Sequence, residues 1–448
     1  MTEQRLHPTG PVLVFPGQGA FDGPALRHAR DDTAIREVLE QIDEVTVDLF
    51  GSRLSEHVLA AQPAPRAGAD TYEPWVSQLA IYASSVGAYH ALRANDVRPG
   101  LLLGHSLGEI SALVCAGAFG VAEGARLVAR RTELATEFAT PGGRMAAVSC
   151  DERRGRLMAD LVGDPDLAVA IANGADQSVV SGPSLAVETL RRLASALDID
   201  TVMLDAPFAF HSPMMAPVVR PFATFAKQFD QQALRYPVHS PILGRCYEPA
   251  DVLADALAEH LVQPVRFAEA VEWLVADGHR LFVEVGGKAT LGRLITRIAR
   301  AEDVRVLTTL AMTPPMLALG GTIRELTGTA AEMPSIATPP PAAPERPAAD
   351  PGTTPVAPAA PQPEWSRDRV WDFAVAQYAG ALEYPADVFA NGALLEAELG
   401  VDSVRQIELL RRLAERLGLP ARPDDFRVAE LDTLDKVVDA VTRELTAA

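Results

Sequence analysis

The chain has 448 residues, 48% of them hydrophobic, 22% charged and 6% aromatic; that excludes a disordered or fibrous chain and leaves room for about three folding units. Acidic residues outnumber basic ones 59 to 40, a formal charge of -19, which excludes the basic footprint that nucleic acid needs. Cys115, Cys150 and Cys246 have no metal-ligand spacing, no secretory signal opens the sequence, and the longest apolar stretch, residues 110–122, is shorter than the roughly 20 residues that span a bilayer. A reduced, cytoplasmic protein with no membrane partner is expected.

In chain order, the apolar runs at 12–15, 101–103 and 281–285 read as buried strands, each ending at glycine or proline. Helical patterns lie between them, so a parallel sheet covered by helices is expected. The second run continues as Gly104-His105-Ser106-Leu107-Gly108-Glu109. A strand that enters G-x-S-x-G and then a helix exposes a serine hydroxyl on a tight turn, where the following amide can bind an oxyanion. Ser106 is therefore a candidate nucleophile.

The helix after it sorts its charges by periodicity. Glu123, Arg126, Arg130, Glu133 and Glu137 fall on a solvated face, while Leu127, Arg131, Leu134 and Phe138 fall on the other. An inward guanidinium needs an acceptor, either an acid of the protein or a substrate carboxylate. Ser106 also needs a base. His211, in the proline-bounded apolar loop Ala206-Pro207-Phe208-Ala209-Phe210-His211-Ser212-Pro213, is one candidate and His105 the other. Most of the other histidines lie in polar surroundings and read as surface residues.

From 333 to 363 the sequence is MPSIATPPPAAPERPAADPGTTPVAPAAPQP, a semi-rigid spacer that fully extended reaches on the order of 90 Å. Beyond it, residues 364–448 show no strand pattern and suggest a small helical bundle. Within them, Gly400 breaks the chain, and Val404, Ile407, Leu410, Ala414 and Leu417 trace one helix face. Ser403 stands at that helix start, where an N-cap serine is the plain reading.

Residues 10–300 resemble the malonyl-CoA:acyl carrier protein acyltransferases of fatty-acid and polyketide synthesis. The resemblance rests on Phe15-Pro16-Gly17-Gln18-Gly19, the Ser106 turn, an arginine 25 positions later, Ala209-Phe210-His211-Ser212 and Gln263-Pro264-Val265-Arg266-Phe267. It implies an α/β-hydrolase-like core with an inserted ferredoxin-like subdomain at about 141–207, the whole acyltransferase occupying 1–332. Ser106 would be acylated, with His211 as general base and acid and Gln18 joining the Leu107 amide in the oxyanion hole. Arg131 would hold the malonyl carboxylate, with Gln78, Phe210 and His105 as further substrate-binding residues. A backbone carbonyl near His260 would orient His211. Departures are Ala20-Phe21 after Gly19, and the absence of proline in Asn173-Gly174-Ala175 and Val285-Gly286-Gly287. Phe210 would crowd an α-branch and favour an unbranched acyl unit.

The stretch Leu399-Gly400-Val401-Asp402-Ser403 resembles the attachment motif of acyl carrier proteins, with Val404 where leucine is commoner. That implies a four-helix carrier bundle over 364–448 with 4'-phosphopantetheine on Ser403, added by a separate phosphopantetheinyl transferase. Glu396, Glu398, Asp402 and Glu408 suit docking to a basic patch. The expected activity is malonyl transfer from coenzyme A through Ser106 to the carrier thiol, on Ser403 or on a partner such as a polyketide synthase module. An editing acyl hydrolase and a loading scaffold with an inactive acyltransferase are the alternatives.

Overall fold

Strands β1 (Val12–Phe15) and β2 (Leu101–Gly104) contain no charged residue and are buried along their whole length. The reason is visible in the computed structural model: they pair in parallel at the centre of a six-stranded sheet, Val12 opposite Leu101 and Phe15 opposite Gly104. The structure describes residues 10–59, 73–204, 206–300, 303–310 and 319–327 of one unit, Met1–Thr327. Of the other, Gly328–Ala448, it describes 367–382, 395, 401, 406, 409–410, 413, 416–417 and 433–447.

Helices α1 (Gly23–His28), α2 (Thr33–Phe50), α3 (Leu54–Leu59) and α4 (Pro74–Ala94) lie between β1 and β2, and α5 (Gly108–Ala116) and α6 (Val121–Phe138) follow. A second sheet then interrupts the first: β3 (Gly143–Val148), α7 (Glu152–Val162), β4 (Ala168–Ala172), β5 (Ser178–Pro183), α8 (Ser184–Ser195) and β6 (Thr201–Met203). The chain returns through a 3-10 turn, Pro213–Met215, to α9 (Ala216–Ala226), β7 (Val238–Ser240), β8 (Arg245–Cys246), α10 (Leu253–Glu259) and α11 (Phe267–Ala276). It ends the unit with β9 (Leu281–Glu284), α12 (Thr290–Ala299), β10 (Arg305–Thr308) and α13 (Leu319–Thr327).

The main sheet has the order β10-β9-β1-β2-β7-β8, parallel except for β8. Leu13, Phe15 and Leu102 feed one core layer and Val12, Val14, Leu101 and Leu103 the opposite one. That two-faced burial is what unbroken apolar runs encode. The inserted sheet is antiparallel, in the order β4-β5-β3-β6, and its βαββαβ succession is the ferredoxin-like arrangement expected for 141–207. Its edge strand β4 also bonds to the main unit: the Ala172 amide donates to the Val265 carbonyl and the Val265 amide to that of Ala170, each at 2.9 Å.

In the second unit, α14 (Arg367–Leu382) and α15 (Leu434–Ala447) pack Val370, Ala374, Tyr378, Val437, Val438 and Val441 into one cluster with Leu409, Leu413 and Leu417. The expected helix face is shifted here. Leu417 is buried as expected, but Leu410 is only half-buried, and Gln406, Leu409 and Leu413 take the core positions. A polar letter hid the register: the Gln406 side chain occupies a core position by donating to the Val401 carbonyl at 2.9 Å. The linker, the other expected bundle helices and Ser403, Val404, Ile407 and Ala414 lie outside the described residues. No helix among the described residues is long and apolar enough to cross a membrane.

Candidate active site

Parallel strands open their carboxyl ends to the same edge, which is where such sheets bind ligands. Because Phe15 and Gly104 are in register, the 16–19 loop and the 105–107 turn emerge side by side. Two glycines make the turn possible by close approach. A Cβ on Gly104 would lie 2.2 Å from Glu109 Cα, and one on Gly108 would lie 2.0 Å from the Phe15 carbonyl oxygen. Between them Ser106 takes φ 54°, a left-handed conformation uncommon outside glycine and seen at strained functional turns. The Leu107 amide begins the cap of α5 and has no acceptor among the described residues, so it is a free donor beside the serine. Gly17 packs against the same turn, its Cβ position 3.5 Å from Ser106 Cβ. Gln18, next along that loop, is half-buried.

His211 arrives from the segment after the inserted sheet, also left-handed at φ 60°. Ser212 braces the loop by donating to the Ala209 carbonyl at 2.7 Å. The His211 amide donates to the Leu261 carbonyl at 2.8 Å, and Nδ1 lies 2.9 Å from the Gln263 carbonyl. A carbonyl only accepts, so Nδ1 carries the ring proton and Nε2 offers its lone pair. Ser106 Oγ therefore donates to Nε2, at 2.7 Å. The orienting carbonyl belongs to Gln263, three residues beyond the expected position near His260, because α10 continues through Glu259 and is capped by His260. Burial, and then the Arg131 charge, push the His211 pKa down to about 3. The ring is neutral.

His105 makes a different bond: Nε2 lies 3.2 Å from Asn173 Oδ1, in the insertion just past β4, and the ring meets Phe267 edge-on at 5.1 Å. Of the two candidate bases, the one bonded to Ser106 is His211. His105 ties the turn to the insertion. The other histidines are not all surface residues, since His239, His260 and His279 are buried as well.

Arg131 is 4% exposed, on the inner face of α6 with Leu127 and Leu134, whereas Phe138, at the last turn, is exposed. The outer face pairs Arg130 with Glu133 at 3.0 Å within the helix, while Arg126 pairs across to Asp48 of α2 at 2.9 Å, a partner its own helix does not supply. Arg131 itself forms no ion pair with an acid among the described residues. It donates to Gln78 Oε1 at 2.8 Å from α4, and its guanidinium lies 4.2 Å from the centre of the Phe210 ring. Burial alone lowers its pKa to about 10, so it remains a cation. A buried cation with only an amide and an aromatic face for company has an electrostatic deficit of several kcal/mol. A carboxylate would remove it. Gln78 Nε2 is buried with no hydrogen-bond partner among the described residues. Stacking of Phe210 on Arg131 and the Gln263 carbonyl escaped sequence reasoning, since periodicity carries no signal for contacts between distant loops.

In the second unit, the residue two before Ser403 is anchored on both sides. Val401 is buried, its amide donates to the Leu395 carbonyl at 2.7 Å, and its carbonyl accepts from Gln406. In sequence Ser403 follows Asp402, and a serine hydroxyl has the chemistry to carry a phosphodiester-linked arm; Ser403 itself lies outside the described residues.

Residues 12–327 match the acyl transferase domain family and residues 375–441 the phosphopantetheine attachment site family. The spectinabilin polyketide synthase system protein NorC of Streptomyces orinoci is 31% identical over 306 residues, covering 68% of this chain and 13% of that protein. The polyketide biosynthesis protein ThaF of Burkholderia thailandensis is 35% identical over 230 residues, covering 50% of this chain and 19% of its own. Among solved structures, the acyltransferase domain from the second module of the salinomycin polyketide synthase superposes with a TM-score of 0.61 at 26% identity, over 71% of this chain and 72% of that one. The malonyl CoA-acyl carrier protein transacylase of Coxiella burnetii gives 0.63 at 25%, over 71% and 98%. The chain thus spans less than a fifth of the length of these two curated relatives.

Proposed function

Because the chain belongs to the acyl transferase domain family and ends in a phosphopantetheine attachment domain, we propose that it moves a malonyl-type acyl group from coenzyme A through Ser106 to a carrier thiol. The observation that carries this reading is Arg131, a buried cation with no acidic partner among the described residues, stacked on the residue next to the base. A carboxylated acyl group supplies the missing anion and is oriented by it.

His211 Nε2 takes the Ser106 proton as Oγ bonds to the thioester carbonyl carbon. The Leu107 amide and Gln18 face the oxygen that gains charge. As the C–S bond breaks, the imidazolium returns its proton to the coenzyme A sulfur, leaving acyl-Ser106. Gln263 keeps Nδ1–H in place throughout. Carried on Ser403, phosphopantetheine supplies a thiol acceptor for the acyl group. In the second half His211 takes the acceptor's proton and hands it to Ser106 Oγ as the ester bond breaks.

The test is intact-protein mass after phosphopantetheinylation, with malonyl-, methylmalonyl- and acetyl-CoA competing. A malonyl increment on the Ser403 arm, absent in Ser106→Ala, is the expected result. Malonylation that persists in Ser106→Ala overturns the nucleophile, and release of free malonate faster than arm loading makes the protein a hydrolase.

A further inference from the structure

Behind the Ser106–His211 pair lies a buried polar triangle that this chemistry leaves unused. Glu109, on the first turn of α5, is fully buried, and its amide donates to the Ser106 carbonyl at 2.9 Å. Tyr247 Oη, just beyond β8, lies 2.7 Å from Glu109 Oε1 and 3.1 Å from His260 Nε2. His260 Nε2 is also 3.4 Å from Glu109 Oε1. A phenol has one proton to give. Tyr247 gives it to the carboxylate, so the contact with His260 is donated by the imidazole. The chain of bonds runs from His260 Nε2–H to Tyr247 Oη–H to Glu109.

The two ends of that chain are informative. Glu109 is bonded to the nucleophile's own turn. His260 immediately precedes Leu261, whose carbonyl holds the His211 amide, and stands three residues before Gln263, whose carbonyl holds the His211 ring. As a device for stability the triangle is a poor one. Among the described residues Glu109 Oε2 and the nearby His239 Nδ1 are buried without hydrogen-bond partners, and well-packed apolar residues generally do as well as or better than such groups. Its geometry, by contrast, spans the gap between the two halves of the catalytic pair.

We propose that Glu109, Tyr247 and His260 are positioning residues that lock the carbonyl cradle of His211 in register with the Ser106 turn. The kinetic side of this rests on the acyl-transfer reading above. Losing the lock lets the base drift, and displacements of about 1 Å cost up to about a hundredfold in rate with little effect on binding.

The experiment compares Tyr247→Phe, His260→Leu and the donor-preserving His260→Gln in the full chain. Two rates are read: malonyl-CoA acylation of Ser106, and sulfonylation of Ser106 by phenylmethylsulfonyl fluoride, which needs the activated serine but no carboxylate site. Tyr247→Phe and His260→Leu should lower kcat for acylation about tenfold, leave KM within about twofold, and slow sulfonylation in parallel. His260→Gln should recover most of both rates. Wild-type rates in Tyr247→Phe, a rise in KM at unchanged kcat, or a glutamine no better than leucine at 260 would each overturn the proposal. A wild-type protein that is sulfonylated but never malonylated refutes the acyl-transfer reading alone, and the triangle is then judged on sulfonylation.

Discussion

Ser106 and His211 share a left-handed backbone, φ 54° and 60°, but are held there by opposite means. Ser106 is fixed by exclusion: glycines on both sides let β1, β2 and α5 approach so closely that the chain has nowhere else to turn. His211 is fixed by attachment, through carbonyls of Leu261 and Gln263 some fifty residues further on. Exclusion is local and tolerates no added atom. Attachment is distant and can be adjusted, and the base is the partner whose chemistry depends on charge.

The comparison can be broken first at its rigid end. Gly104→Ala forces a Cβ into Glu109 Cα, and overpacking of this kind costs about 1–3 kcal/mol or more. We expect a lower thermal midpoint together with loss of acyl-enzyme by mass; a normally folded, normally acylated variant would show that the turn is looser than described. Next in size, Arg131→Ala removes a charge-assisted pair of about 1.5–3 kcal/mol, so kcat/KM for malonyl-CoA should fall about ten- to a hundredfold while acetyl-CoA is spared. An unchanged malonyl/acetyl ratio would remove the carboxylate role.

The adjustable end should show in the pH profile. Burial and the Arg131 charge hold the free His211 near 3, so kcat/KM should stay level from about pH 8 to about 5. A bound carboxylate neutralises Arg131 and removes the largest of the charge-based lowering influences, which raises the pKa in the complex. A proton then occupies Nε2 at higher pH, and the acidic limb of kcat should lie higher with malonyl-CoA than with acetyl-CoA. Coincident limbs would mean that Arg131 does not tune the base. Phe210→Ala should have the smallest effect: admission of methylmalonyl-CoA improved about tenfold, the worth of one methyl in a pocket, read in the same competition assay.

What the sequence disclosed follows the same division. Strands β1 and β2 and the Ser106 turn were legible because burial on two faces and close approach demand particular letters in a row, whereas the inserted sheet was expected only from the family resemblance. Arg131 could be turned inward from helical spacing, yet its company could not be read: Gln78 lies on another helix and Phe210 on another loop. The carbonyls that hold His211 have no letter of their own, since any residue at 261 or 263 offers one; the resemblance alone pointed to that stretch, and three residues short of Gln263. The pairing of His260 and Tyr247 with Glu109 left no pattern in the sequence, because Glu109 is far away in the chain. Gln406 misled, its polar letter masking a core position satisfied by a carbonyl.

The bond between β4 and Val265 sets a rule for anyone exchanging parts among such proteins. The insertion looks like a detachable cassette with ends near 141 and 207, but its edge strand is stitched to the strap that carries Gln263, and Asn173 reaches to His105. A chimaera cut only at those two ends would seat a foreign edge against the native strap. Grafts that take 261–267 along with the cassette should keep the base aligned, so the natural unit of exchange is discontinuous in sequence.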